Sequence, residues 1–580
     1  MAPMMTKKAL LVLAFPLTFS SVYARNAAIP REEVLLNTFT NNESVYVLRD
    51  AKGTIMQATL AGSPLNWFNL SPMDGSEGVR TEETYAQFGA EGSEIIVAVV
   101  DSGVDVNHED LQGKIWTNKG EIPNNGIDDD KNGYIDDVFG WNFIGGAKGM
   151  ATIVDDSSLK NGIRLVEGDM SAQVNTDNLE LTREHVRMKK LKREVEELGE
   201  DLSPTQAAYL AKLDTELNTL VDTASSVVSS YTKRLQQFRS DVDVLKAAGL
   251  STVSLEAVRA LVSSDPVVLL AKQDLITMLT NNLSEARMVT VINSYTQRLN
   301  FHYNENIDTR RDIVGDDPTN MKEKSYGNND VIGPDAHHGT HVSGIIAARR
   351  DNTIGSKGVA TNVKIMAVRV VPNGDERDKD VANGIRYAVD NGAKIINMSF
   401  GKAYSPRKSA VDEAVKYAES KGVLMVHAAG NDSKNNDLVQ SFPTRADSKN
   451  VVFTNWLDIG ASAFQKGPGL PATFSNYGKK TVDFFAPGVD ITSTLPGNKY
   501  GSLSGTSMAT PVVAGVAALL LSNDPTMSAE AVRSLMIDTS RRYPKLQVKI
   551  PGGSTTELFS ELSTNGSIVD VFEGVKAIRN

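Results

Sequence analysis

The stretch EIIVAVVDSGVD, residues 94–105, carries six consecutive apolar residues and then stops at an aspartate. A strand with one face in water would alternate apolar and polar side chains. An unbroken run predicts a strand buried on both faces. Similar runs recur downstream: VKIMAVRVV (363–371), AKIINMSFG (393–401), GVLMVHAAGND (422–432) and VVFTNW (451–456). Amphipathic helical patterns lie between them, notably RDKDVANGIRYAVDNG (377–392) and SAVDEAVKYAESKG (409–422), the latter closing at Gly422 as a helix C-terminus does. Strand and helix in alternation predict an α/β fold, a parallel sheet flanked by helices. Sites in such folds sit at the carboxyl ends of strands, where Asp101, Ser399 and Asn431 fall.

A second texture interrupts the first from about 145 to 325. Leu181, Met188, Val195 and Leu202 repeat every seven residues, with Leu191 and Leu198 at the complementary offset. Ser203-Pro204 reads as the N-cap and first residue of a longer helix carrying Leu217, Leu220, Leu235 and Phe238. Helical stretches follow through SLEAVRALV and LITMLTNNLSEARMVTVINSY. The region 145–325 is expected to be an all-helical insertion packed on itself, or a surface on which a partner docks.

Composition narrows the function classes. The net charge of −11 opposes non-specific nucleic-acid binding. Lys7 and Lys8 precede ALLVLAFPLTF, and Val22-Tyr23-Ala24 follows with small residues where a signal peptidase would cut, so 1–24 reads as a secretory signal. The chain nevertheless has no cysteine, which excludes disulfides, thiolate metal sites and a cysteine nucleophile. Added stabilisation would have to come from the core or from oxygen-ligated ions such as calcium.

Chemistry gathers in three more places. SLSGTSMATPVVAGVAALLL puts Ser507 among small residues just ahead of a buried helix, whose N-terminal N–H groups favour negative charge. DAHHGTHVSGIIAA holds His338, a group able to take a proton near neutral pH. Asp101 could fix the tautomer of such a base, and Asn431 in HAAGND could donate to an oxyanion beside the Ser507 N–H. An α/β-hydrolase would need a histidine after its serine, and none follows His427. A chymotrypsin-like order would need a two-barrel all-β fold, which the buried runs oppose.

VAVVDSGVD, HGTHVSGIIAA, INMSFG, HAAGND and GTSMATPVVAG, in that order, resemble the subtilases, the subtilisin-like serine endopeptidases, over about 95–140 and 325–540. The resemblance implies Asp101 as orienting acid, His338 as base, Ser507 as nucleophile and Asn431 as oxyanion donor. It implies that Ser399, Phe400 and Gly401, with Ala428, Ala429 and Gly430, line the cleft for a polypeptide substrate. His337 and His341 are rivals, but only His338 is followed by Gly-Thr-His. The implied organisation is a signal at 1–24, a propeptide or N-terminal extension at 25–62, a catalytic domain in two parts (63–144 and 326–580), and the insertion at 145–325.

Two calcium sites are expected. DDDKNGYIDD (128–137) spaces Asp128, Asp130, Asn132 and Asp136 around Gly133 like the start of an EF-hand loop, although Phe139 stands where the closing glutamate belongs. Asp110 and Asn352 fall where subtilisins hold a tight calcium ion. The competing reading is a binding module whose triad persists unused while the insertion docks a partner.

Overall fold

The computed structural model describes residues 64–146, 204–303, 310–372, 376–402, 405 and 407–580, together with two short strands at Asn37–Thr38 and Ser44–Val45. The signal, most of the 25–62 extension and the heptad seam of 181–202 lie outside the described residues.

The run that opens the fold is strand β1, Ile95–Asp101, all but one residue of it buried. It pairs in parallel on one side with β3 (Val363–Arg369) and on the other with β4 (Ile395–Met398). Beyond β3 lies the short edge strand β2, Gly140–Asn142. Beyond β4 follow β5 (Leu424–Ala428), β6 (Trp456–Ser462) and β7 (Phe484–Pro487), all parallel. Two short terminal strands complete the nine-stranded sheet. Strand order reverses at β1, with β3 on one flank and β4 on the other, the point at which open α/β sheets place their sites, outside the carboxyl ends of the strands.

Successive residues of β1 face opposite layers. Val97 and Val99 pack with helix α6 (His337–Ala347) and helix α9 (Thr506–Asn523), whereas Ala98 and Val100 pack with α7 (Asp378–Asp390) and α8 (Lys408–Ser420). Each fully buried valine contributes about 1.5–3 kcal/mol, which is why both faces of this strand stay apolar. Helix α9 is long and apolar enough to cross a membrane, yet 94% of its apolar window is buried inside the fold. Aromatic rings cover the sheet edge: Tyr134 lies 5.1 Å from Trp141 and 5.0 Å from Tyr387 between ring centroids.

Two sequence expectations shift. VVFTNW (451–456) is not itself a strand: Val451 and Val452 are exposed, and β6 begins only at Trp456. Its body, LDIGAS, hides a strand behind Asp458 and Gly460, whose polarity and small size break the apolar run. The stretch LITMLTNNLSEARMVTVINSY is broken in two. Helix α4 (Pro266–Thr280) ends before Asn282, which takes a left-handed φ of 58°, and α5 (Glu285–Gln297) restarts from the Ser284 cap.

The insertion is helical where described. Helix α2 starts at Pro204 and runs to Ala247; α3 covers Leu255–Ala260. Leu235, Phe238, Val242 and Leu245 of α2 form a core with Leu275 of α4 and Met288 of α5, separate from the sheet's two cores. The chain then returns through Arg310. This guanidinium is 2% exposed and pairs with Asp316 and with Asp380 of α7, both at 2.8 Å. Lys379 joins Asp316 at 2.6 Å and Glu323 at 2.7 Å. Residues 310–325, grouped with the insertion on sequence, are thus tied to the first turn of α7.

Candidate active site

Asp101 is the last residue of β1 and is buried; its Oδ1 lies 2.8 Å from His338 Nδ1. That carboxylate oxygen also accepts from the Ser102 N–H at 2.7 Å. His338 is the second residue of α6 and its side chain is 31% exposed, so the ring meets an acid at Nδ1 and keeps part of its surface open to solvent. Gly339 makes the approach possible. A Cβ there would stand 2.1 Å from the Gly103 carbonyl and 3.2 Å from the Asp101 Cβ, so any larger residue would push the helix off the strand end.

Ser507 is the second residue of α9, nearly buried, and its hydroxyl donates to the Ser399 carbonyl at 3.0 Å. Its backbone N–H has no intrahelical acceptor, as at any helix start. Pro511, four residues on, has no N–H to give the Ser507 carbonyl. Ser399 supplies the missing donor: its hydroxyl bonds that carbonyl at 2.9 Å and is itself held by Asn397 Nδ2 at 3.0 Å. The proline thus binds the helix start to the end of β4. Asn431 Oδ1 accepts from the Thr506 N–H at 2.8 Å and from its hydroxyl at 3.0 Å. The Asn431 side chain is thereby anchored to the helix start through its oxygen.

The expected cleft residues flank this point. Ser399, Phe400 and Gly401 leave the end of β4, and Ala428, Ala429 and Gly430 leave β5. Ala428 and Ala429 are buried, and the Ala429 carbonyl is taken by Asn436 and Asn476. Gly401 is exposed and Gly430 half-buried.

Of the rival histidines, His341 is fully buried with Nε2 3.1 Å from the Gly501 carbonyl. Burial pushes its imidazole down to about 3. In the folded state it stays neutral where an unfolded histidine, near 6.5, takes a proton. The unfolded chain therefore binds more protons between those values, and stability is present above about 6.5 and is lost as pH falls toward 3, by no more than about 5 kcal/mol. Urea midpoints at neutral and mildly acidic pH should fall less for His341→Gln than for the wild type; equal losses would rule out this contribution.

The calcium candidates divide. Asp110 and Asn352, 242 residues apart, meet: Asn352 Nδ2 donates to Asp110 Oδ1 at 2.6 Å. Asp110 Oδ2 and Asn352 Oδ1 are both buried without a hydrogen-bond partner, and burial pushes the Asp110 carboxyl up to about 6. Two buried, unpartnered oxygens on side chains in contact suit a hard cation. In the acidic loop, oxygens of Asp128 and Asp130 lie within 4.8 Å of one another and of Glu121, a residue the sequence pattern did not single out because it precedes the loop. All five side chains are hydrogen-bonded within the loop: Asp128 accepts from the Asn132 and Gly133 N–H groups, Asp130 from Asn132, and Glu121 from the N–H groups of Asp129, Asp130 and Asp136. Asn132 Oδ1 accepts from the Tyr134 N–H, and the Asp136 carboxylate accepts from the Asn125 and Gly126 N–H groups, with Asp136 at a φ of 53°.

A parallel α/β sheet with an acid, an imidazole and a helix-capped serine at its carboxyl rim is the frame of a serine hydrolase. The subtilase family model matches residues 92–561, and the chain belongs to that family. It is similar to the thermophilic serine proteinase of Bacillus sp. (strain AK1), 42% identical over 220 residues, which cover 37% of this chain and 51% of that one. Subtilisin DY of Bacillus licheniformis is 40% identical over 205 residues, 35% of this chain and 70% of its own. Alkaline elastase YaB of Bacillus sp. (strain YaB) is 41% identical over 226 residues, 39% of this chain and 53% of its own. The chain thus spans about half the length of the thermophilic proteinase and of the elastase.

Proposed function

We propose that the protein is an exported serine endopeptidase in which Ser507 attacks a peptide carbonyl. The observation that carries the reading is the 2.8 Å contact of His338 Nδ1 with buried Asp101, at the rim where Ser507 heads its helix. Asp101 accepts from Nδ1–H, which puts the basic lone pair of the neutral ring on Nε2. In the resting arrangement the Ser507 proton is held by Ser399, and reaction requires it to be redirected to His338. Oγ bonds to the carbonyl carbon, and the oxyanion is stabilised by the Ser507 N–H and Asn431 Nδ2. His338 then returns the proton to the leaving amine. The acyl-enzyme is released by water, with His338 again as base. Hydrolysis of denatured casein, blocked by a serine-directed organophosphate, tests the assignment; a folded, matured protein without turnover would favour the binding-module reading.

Residues 1–24 are proposed as the export signal, and N-terminal sequencing of secreted material tests both export and removal of 25–62. Calcium is proposed at two places, Asp110 with Asn352 and Glu121 with Asp128 and Asp130, because their oxygens fit a hard cation that would offset their charge and tie distant segments together. Excess chelator should then lower the thermal midpoint of the Ser507→Ala protein by several degrees. An unchanged melting curve would remove both sites.

A further inference from the structure

Arg369 is the last residue of β3 and lies opposite Asp101, the last residue of β1. It does not extend into solvent: the residue is 2% exposed. Burying a charged group is costly, and an apolar side chain would pack the end of a sheet without that cost. Nε donates to the Ser102 carbonyl at 2.7 Å and Nη1 to Asn142 Oδ1 at 3.2 Å. Gly333, at a φ of 63°, closes over the group. A Cβ there would stand 2.3 Å from Nε and 2.6 Å from Cζ, so the loop ahead of α6 leaves room for the guanidinium only because this residue is glycine.

Ser102 is where the sheet stops supporting the chain. The N–H groups of Val370 and Val371 hold the Asp101 carbonyl at 3.0 and 3.2 Å, and the parallel ladder ends at the Asp101–Arg369 pair. The next carbonyl, that of Ser102, is held by the Arg369 side chain instead. The turn fixed in this way carries two contacts of the site. The Ser102 N–H donates to Asp101 Oδ1 at 2.7 Å, while Asp101 Oδ2 has no partner among the described residues, so the carboxylate is oriented by this N–H and by His338. The Gly103 carbonyl is the surface on which Gly339 packs, one residue after His338. The Ser102 hydroxyl is tied separately, to the Asp335 carbonyl at 3.1 Å, which anchors the start of α6 to the same turn.

We infer that Arg369 is a positioning residue for the reaction: its guanidinium holds the 101–103 turn, and through it the register of the Asp101 carboxylate with the His338 ring. This rests on the endopeptidase reading above. A charged fork with two fixed acceptors orients the turn more tightly than a neutral donor would. A loosened acid–imidazole register lowers turnover without weakening the hold on substrate.

The test is a double-mutant cycle on a chromogenic peptide, with kcat and KM measured for the matured wild type, Arg369→Met, Asp101→Asn and the two combined. Arg369→Met should lower kcat by about 10- to 100-fold while KM stays within about threefold. Arg369→Lys, which keeps a charged donor, should recover part of that loss. In the Asp101→Asn background Arg369→Met should cost less than about threefold, because the register it protects is already lost. A purely structural arginine would lower the urea midpoint and cost the same factor in both backgrounds. Unchanged kcat in Arg369→Met, or equal losses with and without the Asp101 carboxylate, overturns the inference and leaves the endopeptidase reading standing. Should Arg369→Met not fold, Arg369→Lys takes its place in the cycle, and failure of both to fold overturns the inference in favour of a structural role. No turnover by the matured wild type would instead overturn the endopeptidase reading, and this inference with it.

Discussion

Replacing Ser507 with alanine is expected to lower turnover of a protein substrate by roughly 10⁶-fold, the size of loss recorded when a subtilisin's serine or histidine is removed. In the proposed mechanism no acyl-enzyme forms without Oγ, and only the proposed oxyanion donors and substrate binding remain to assist water. The fold should be untouched, because the Ser507 side chain gives a single hydrogen bond, to Ser399, while the helix start is also held through the Ser507 carbonyl and through Thr506. Asp101→Asn should cost about 10⁴, since an amide can hold the wrong imidazole tautomer. Circular dichroism confirms that the variants are folded. Turnover within tenfold of wild type in Ser507→Ala would remove this serine as nucleophile.

Asp380→Ala should be the most damaging single change to stability, about 3–5 kcal/mol. Asp380 takes two hydrogen bonds from Arg310, at 2.8 and 2.9 Å, and a third from the Tyr326 hydroxyl at 2.7 Å. All of these groups are buried, and the Arg310 guanidinium is 2% exposed. Deleting the carboxylate leaves a buried cation balanced by Asp316 alone, and Asp316 is already shared with Lys379. The measurement is chemical denaturation, made in the Ser507→Ala background so that self-digestion does not enter. A loss below 1 kcal/mol would mean that the root of the insertion relaxes around the gap. Replacing Arg310, Asp316 and Asp380 together by apolar residues should cost much less than the single deletion, because no charge is then stranded.

Local pattern was sufficient wherever a residue's environment follows from its neighbours in the chain. The unbroken run Ile95–Val100 is buried on both faces, as its lack of alternation predicts, and α7 and α8 occupy the amphipathic stretches read for them. Pro204 opens α2 as its fixed φ suits it to do. Pattern failed at β6, where Asp458 and Gly460 interrupt the apolar signal. The aspartate is there for His427, and a Cβ on Gly460 would stand 2.6 Å from the Phe485 ring. Neither reason is visible within the segment itself. The acidic loop holds a group its spacing does not show: Glu121, ahead of the pattern, stands with Asp128 and Asp130, while the Asp136 carboxylate accepts from the 125–126 backbone.

The order of the amino acids alone determined the sheet class, the residue types available for chemistry and the absence of any thiol, because these depend on short-range periodicity and composition. Only the tertiary structure decided which groups meet. Asp101 and His338 are 237 residues apart in sequence and 2.8 Å apart in space, and Asp110 meets Asn352 across 242. It also decided that His427, unremarkable in its segment, meets the Asp458 carboxylate on the neighbouring strand and packs on the Trp456 ring. Such pairings arise where strands distant along the chain end side by side in one parallel sheet, a proximity that no local pattern encodes.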